Sequence, residues 1–374
     1  METIANVRVR LIDVPLDDPV WLGGYSVTNR EYGFVEIETS EGRVGHALGY
    51  TRGGDLPGAV LKNVAPLLVG KDPDQIEALW EAVWLGNRMN GRQGLLMRAL
   101  SLADLALWDL KGKKAGQPLY RLLGGYRETI PVLMAGGYYG PGKGLKELCE
   151  EYERYVDQGY RHLKLMVGNA TMEEDFRRFV AVRKSLPKEV SLAVDVNGNW
   201  PDPKAVLRWI ERAEKEGCEI AFVEEPFPPE HMEGYRFLRE RSSVPIAFGE
   251  FMAGRWEFRR MMEQGCLDIV RADATLCGGI TEWRRIAALA SAWNMRIIPH
   301  YFAYIHLNVG LAFPGTEMIE VVTTKGKVSS LKYLIGENFE LKDGIAHPKH
   351  LPGLGFAIDE AFMDRHTIGQ ASYR

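Results

Sequence analysis

Cysteine is scarce: Cys149, Cys218, Cys266 and Cys277 are the only four among 374 residues, spaced 69, 48 and 11 apart with no CxxC pair. That argues against a disulfide framework or a thiolate zinc site and leads us to expect reduced thiols in a cytoplasm. No uninterrupted apolar run reaches the ~18 residues of a membrane span. Glu2, Arg8 and Arg10 open the chain without an apolar signal segment behind them. There is no excess of basic charge either: 46 Lys+Arg against 50 Asp+Glu leave −4, which speaks against nucleic acid or an anionic membrane as the main partner. What is plentiful is apolar content (46%) and glycine (40 residues). Glycine without a three-residue period, in a chain this apolar, excludes collagen-like and disordered classes. A soluble protein of two or three domains, or one large barrel with additions, is expected.

Residues 1 to 50 read as strands. Val7, Val9 and Leu11 alternate with polar residues, and Phe34–Glu38 runs through the turn Ser40-Glu41-Gly42 into Arg43–His46. Residues 57 to 123 read as helical. Leu96, Ala99, Ala103, Ala106 and Leu110 mark one helix face, with the helix expected to stop before Gly112. Beyond residue 130 short apolar strands alternate with amphipathic helices, for example Pro203–Glu216 and Thr281–Asn294. Those strands end at 166, 195, 224, 250, 273, 300 and 320, in steps of 29, 29, 26, 23, 27 and 20. A (β/α)₈ barrel of about 250 residues uses about 30 per unit. Pro131–Tyr139 supplies a first strand. A doubly wound open sheet is the competing architecture, but no GxGxxG lies between a strand and a helix. The expected division is 1–125, an α+β domain; 126–324, the barrel; and 325–374, a tail returning to the first domain.

The carboxyl ends of parallel barrel strands meet at one mouth, where catalysis sits. Asp195, Glu224 and Glu250 end three successive strands. Three carboxylates at one mouth repel unless a cation neutralises them. All-oxygen ligation suits a hard divalent ion, and Mg²⁺ keeps positions for water and substrate. His300 and Asp273 end two neighbouring later strands; a carboxylate that fixes a histidine tautomer makes it a competent general base. Lys164 ends an earlier strand and can pair a substrate carboxylate or a developing enolate. Glu320, if protonated, can donate a hydrogen bond to the opposite oxygen. Asn197, two residues past Asp195, is expected to point into the same mouth and there support the metal ligands or contact the substrate.

Lys164-x-Met166, Asp195-x-Asn197, Glu224-Glu225-Pro226, Gly249-Glu250, Asp273 before Gly278-Gly279, Pro299-His300 and Glu320, in this order, resemble the mandelate racemase subgroup of the enolase superfamily. The stretches around Met97–Asp109, Leu122–Gly125 and Pro352–Phe356 extend the resemblance over essentially the whole chain. It implies a (β/α)₇β modified TIM barrel under an α+β capping domain, with Mg²⁺ on Asp195, Glu224 and Glu250. It also implies abstraction of the proton α to a carboxylate, giving an enediolate. Substrate specificity in such enzymes lies with capping-domain loops, here Trp21-Leu22-Gly23-Gly24-Tyr25 and Tyr50–Gly54, so Trp21, Tyr25 and Arg52 are the candidate substrate contacts.

One position departs from the family pattern. Where a second lysine usually acts as a base stands Met166, whose thioether takes no proton at neutral pH. Tyr138 or Tyr139 is a candidate replacement. Racemisation needs bases on both faces of the α-carbon, whereas elimination of water needs one. The expected function is therefore dehydration of a hydroxy acid, such as an acid sugar, to a 2-keto-3-deoxy acid. A racemase, epimerase or cycloisomerase is the rival within the family, and a non-catalytic carboxylate-binding barrel the rival from another class. A small carboxylate substrate, no nucleic acid, no membrane and a homo-oligomer are expected.

Overall fold

The computed structural model describes residues 2–22, 24–322 and 328–374. Strands β1 (Ile4–Leu22), β2 (Tyr25–Thr39) and β3 (Val44–Tyr50) form an antiparallel meander. Val7 and Val9 are buried by alternation. A register slip between Leu11 and Ile12 then moves the buried face to Ile12 and Val14. The helix Gly94–Ala115 covers this sheet and ends on Gly116 in the left-handed region (φ 61°). Gly112 thus lies inside the helix and does not end it. Its missing side chain admits the tail, since a Cβ there would stand 2.5 Å from Cα of Gly353.

Eight parallel strands follow: β4 (Ile130–Gly136), β5 (His162–Met166), β6 (Ser191–Asp195), β7 (Val223–Glu224), β8 (Ile246–Phe248), β9 (Ile269–Val270), β10 (Arg296–Ile297) and β11 (Ile319–Val322). They pair in sequence order from β4 to β10, and β11 returns beside β4. Ile297 bridges Thr316, three residues ahead of β11, and closes the ring. A helix follows each of the first seven strands and none separates β11 from its exit among the described residues, which is a (β/α)₇β barrel. Pairing with helices on the outside and side chains within buries both strand faces.

The tail divides its contacts. A hairpin of β12 (Phe339–Lys342) and β13 (Ile345–Pro348) adds to β4 of the barrel, and β14 (Thr367–Tyr373) pairs with β1. The expected boundary at 324/325 lies outside the described residues. Among those residues no helix is long and apolar enough to cross a membrane.

The barrel interior explains why chemistry gathers at its mouth. Leu133, Ala193, Phe222, Ala247, Ile269 and Ile298 form an apolar plug, with Met318 against it. Strand side chains repeat every two residues, so two positions further along the same inward faces stand Asp195, Glu224, Arg271, His300 and Glu320.

Candidate active site

Asp195 closes β6, Glu224 closes β7 and Glu250 stands two residues past β8. All three are buried, and one carboxylate oxygen from each lies within 4.8 Å of the others. Burial, then the neighbouring carboxylates, raise Asp195 to about 6 and push Glu250 well above the usual carboxylate range.

Two buried cations answer this crowding. Lys164 Nζ lies 2.9 Å from Asp195 Oδ2, 2.9 Å from Glu224 Oε2 and 3.0 Å from Glu320 Oε1. Burial opposes its charge, but the three carboxylates outweigh that and hold it protonated. Arg271 Nε lies 2.7 Å from Glu224 Oε1, Nη1 donates to Ile298 O at 2.6 Å and Nη2 pairs with Glu320. Burial works against ionisation of Glu320, yet Lys164 and Arg271 hold its carboxyl far below its ordinary value. The expectation of a protonated, hydrogen-bond-donating Glu320 is therefore corrected: between two cations it is an acceptor.

The acidic trio fits a hard cation. All its donors are oxygen, and Glu250 Oε2 is buried with no hydrogen-bond partner, a costly state for a carboxylate unless a cation faces it. Glu225 sets the ligand loop. Its φ of 40° turns the side chain back under the strand ends, where Oε1 accepts from Gly249 N (2.9 Å) and Glu250 N (3.2 Å). Tyr235 OH donates to Oε2 at 3.0 Å. Burial raises Glu225 to about 8.

Across the mouth, His300 Nδ1 is 3.0 Å from Asp273 Oδ2. Burial disfavours the charge on Asp273, but hydrogen bonds from His300 and the Thr275 backbone keep its carboxyl below the ordinary value. With Asp273 ionised, Nδ1–H donates to it and the Nε2 lone pair faces the acidic cluster, 3.5 Å from Glu250 Oε2. His306, fully buried and lowered to about 4 by burial, accepts from Ala274 N at 3.0 Å and braces the same turn.

A cavity of about 580 Å³ opens over these groups, with His300, Glu250, Asp195, Glu320, Met166, Asn197 and Tyr138 among its lining. In the closed ring β4 and β11 separate β5 from β10 on one side and β6 to β9 on the other, so Met166 and His300 stand on different walls of the cavity. Asn197 Nδ2 donates to Asp195 Oδ1 at 2.8 Å and lies 3.7 Å from Met166 Sδ. Burial pushes the Tyr138 phenol far above its ordinary value, so it offers no base. Tyr139 hydrogen-bonds Asp175 and stacks under Arg178 and is not among the lining residues. Cys277 is fully buried, with its thiol raised by burial, hence no nucleophile.

Of the capping residues, Arg52 and Tyr25 line the cavity, Tyr25 at its rim and 73% exposed. Trp21 does not line it; its backbone pairs with Tyr139 and holds the β1–β2 hairpin over the barrel. Gly23 of that loop lies outside the described residues. Arg271 and Glu225 were missed by sequence reasoning, although each carried a signal. A lone arginine inside an apolar strand is almost never buried unpaired, and Glu225 stands in a doubled acid that ends a strand.

Residues 147–362 match the family described as "Enolase C-terminal domain-like", and residues 4–124 match "Mandelate racemase / muconate lactonizing enzyme, N-terminal domain". The chain is 34% identical over 342 residues to arabinonate dehydratase from Saccharolobus solfataricus, covering 89% of each. It is 32% identical to D-galactarolactone cycloisomerase from Agrobacterium fabrum, covering 95% of this chain and 96% of the relative. Its fold superposes with TM-score 0.89 and 29% identity on L-talarate dehydratase from Polaromonas sp. JS666, a structure complexed with Mg and L-glucarate; the match covers 100% and 99% of the two chains.

Proposed function

Because the chain belongs to the mandelate racemase/muconate lactonizing enzyme family of the enolase superfamily, we propose that it is a Mg²⁺-dependent hydro-lyase that dehydrates an acid sugar to a 2-keto-3-deoxy acid. The observation that carries this reading is the asymmetry of the cavity. His300, oriented by Asp273, stands on one wall, and Met166, which neither takes nor gives a proton, stands on the other.

Asp195, Glu224 and Glu250 would hold the metal, whose charge, when bound, polarises the substrate carboxylate and lowers the cost of removing its α-proton. The remaining steps fall to the chain's own groups. His300 Nε2 takes the proton from C2, and the bonding pair passes into the enediolate. The pair then returns and expels the C3 hydroxyl. If that hydroxyl leaves on the same face, the imidazolium gives the proton back and releases water. Tautomerisation of the resulting enol yields the 2-keto-3-deoxy acid. Lys164, held by its three carboxylates, supplies a fixed positive charge beside the carboxylate oxygens. Glu320 keeps Lys164 and Arg271 in place, and Asn197 orients Asp195.

We further infer a small-carboxylate enzyme working in the cytoplasm as a homo-oligomer. Three buried free cysteines support the compartment. Exposed Leu85, Met89 and Trp256, the last stacked on Trp84 at 4.5 Å, support the assembly. The second reading, a cycloisomerase, is favoured by the similarity to the Agrobacterium fabrum enzyme.

The test is a panel of acid sugars incubated with Mg²⁺ in D₂O, with both product and recovered substrate examined. A keto-deoxy product with unreacted substrate of unchanged configuration is expected. Recovered substrate inverted and deuterated at C2, with no keto product, would refute dehydration. Glu224→Gln should abolish turnover and leave the fold intact. Turnover by that variant in the presence of a chelator would refute the metal assignment.

A further inference from the structure

The cavity over the acidic cluster has a second pole of opposite sign. Arg30, Arg52 and Arg98 line it together with His300 and Glu250. Among the described residues none of the three pairs with a carboxylate, and Met1, Gly23 and residues 323–327 carry no side-chain carboxylate to add. All three gather around one residue, Tyr50. The guanidinium of Arg30 lies 5.3 Å and that of Arg52 4.8 Å from the centre of Tyr50, and Arg98 Nη1 donates to Tyr50 O at 3.3 Å. Tyr50 OH donates in turn to Tyr301 OH at 2.6 Å, beside His300.

Two of these cations are built in, Arg30 buried and Arg98 half-buried, while Arg52 is exposed at the rim. Arg30 is 5% exposed, and its hydrogen bond runs from Nε to Val328 O (3.1 Å), leaving both Nη groups without a protein partner among the described residues. Arg52 adopts φ 55°, a conformation uncommon for a residue with a side chain. Burial and the nearness of Arg52 lower Arg98 to about 10, and the charge of Asp273 offsets this only in part. Interior charges are ordinarily paired, and a guanidinium fork matches a carboxylate in two parallel hydrogen bonds.

We propose that Arg30, Arg52 and Arg98 form a distal anion subsite, so that the preferred substrate carries a second carboxylate at the end remote from the reacting carbon: an aldarate, not an aldonate. This rests on the reading of the metal-side pole as the place of α-proton abstraction. A cavity of about 580 Å³ is within the range of small-molecule sites and has room for a six-carbon chain engaged at both ends. A neutral hydroxymethyl terminus would leave the guanidinium groups of Arg30 and Arg98 short of water and unanswered.

The test uses the Mg²⁺-loaded His300→Asn protein, which binds acids without turning them over. It is titrated calorimetrically with aldarate/aldonate pairs of matched configuration, glucarate with gluconate among them, and with 6-phosphogluconate. The best aldarate should bind ~10-fold or more tightly than its aldonate. Arg98→Gln or Arg52→Gln should erase that preference by weakening the aldarate ~10-fold more than the aldonate, and Arg98→Lys should restore part of it. Equal affinity within every pair, tighter binding of the phosphorylated aldonate than of any aldarate, or an equal loss for both acids in the glutamine variants would overturn the subsite. Wild-type turnover separates the two readings. Aldarate preference in binding with no acid dehydrated would refute the dehydratase assignment and leave the subsite standing, whereas dehydration confined to aldonates would refute the subsite alone.

Discussion

Replacing Asp273 with asparagine should disable the base by reversing its tautomer. Asp273 Oδ1 accepts from Thr275 N at 2.7 Å and from Thr275 Oγ1 at 2.8 Å. In the variant these two donors hold the amide oxygen where Oδ1 was, so the amide nitrogen takes the place of Oδ2, 3.0 Å from His300 Nδ1. Two N–H groups cannot face each other, so Nδ1 becomes the acceptor and the ring proton moves to Nε2. There the carboxylate of Glu250, 3.5 Å away, holds it. The lone pair that should take the C2 proton is then gone. A histidine locked in the wrong tautomer costs about 10⁴ in rate, or about 5.4 kcal/mol of barrier. We expect a loss of roughly 10³–10⁴, within the reach of general base catalysis. Asp273→Ala removes the lock as well as the orienting partner, so the ring can present a free Nε2 part of the time. It should retain about tenfold more activity than the asparagine variant, the equivalent of ~1.4 kcal/mol. The assay is loss of the α-proton NMR signal in D₂O, with thermal melts to show that both variants fold. An asparagine variant within tenfold of wild type, or an alanine variant less active than it, would refute the tautomer argument.

Restoring a base opposite His300 with Met166→Lys should leave dehydration no faster but permit slow epimerisation, visible as deuterium at an inverted C2 in recovered substrate. Faster dehydration with no epimer would show that the opposite wall is not the missing base position. Asp104, fully buried and accepting from Thr281 N at 3.0 Å, is raised by burial to about 7. A carboxyl raised on folding is most compatible with the native state below its unfolded value of ~3.9 and loses stability as pH rises toward the folded value, at about 1.4 kcal/mol per pH unit. Asp104→Asn should therefore gain stability over wild type progressively between about pH 4 and 7, then hold a constant difference; urea melts across that range showing a pH-independent difference would contradict it. Gly112→Ala should lower stability by ~1–3 kcal/mol even though alanine favours helix by about 1 kcal/mol, because its Cβ meets Gly353; a melting temperature at or above wild type would show that the tail yields.

The rhythm of the barrel was legible in the sequence because it is local. Strands of four or five apolar residues ending in Asp195, Glu224 or Glu250 recur at the interval that one strand and one helix occupy, and inward positions repeat every two residues. The juxtaposition of His300 with Asp273 was legible for the same reason, since neighbouring parallel strands in a barrel bring their ends side by side. The end of the long helix was misread at Gly112, because local propensity cannot show that a tail more than 200 residues away requires a bare backbone there. The protonation of Glu320 was also beyond local reasoning. Its carboxyl is ionised by Lys164, reached only when β11 closes beside β4, and by Arg271, two strands away on the other side past β10. The three arginines around Tyr50 come from β2, from the turn after β3 and from a helix, and nothing in their spacing marks them as one group. Sequence by itself determined which residues face inward, through backbone periodicity. Only the closed tertiary structure decided which charges meet, and burial then set their protonation, because Coulomb interactions depend on distance in space and on the exclusion of water.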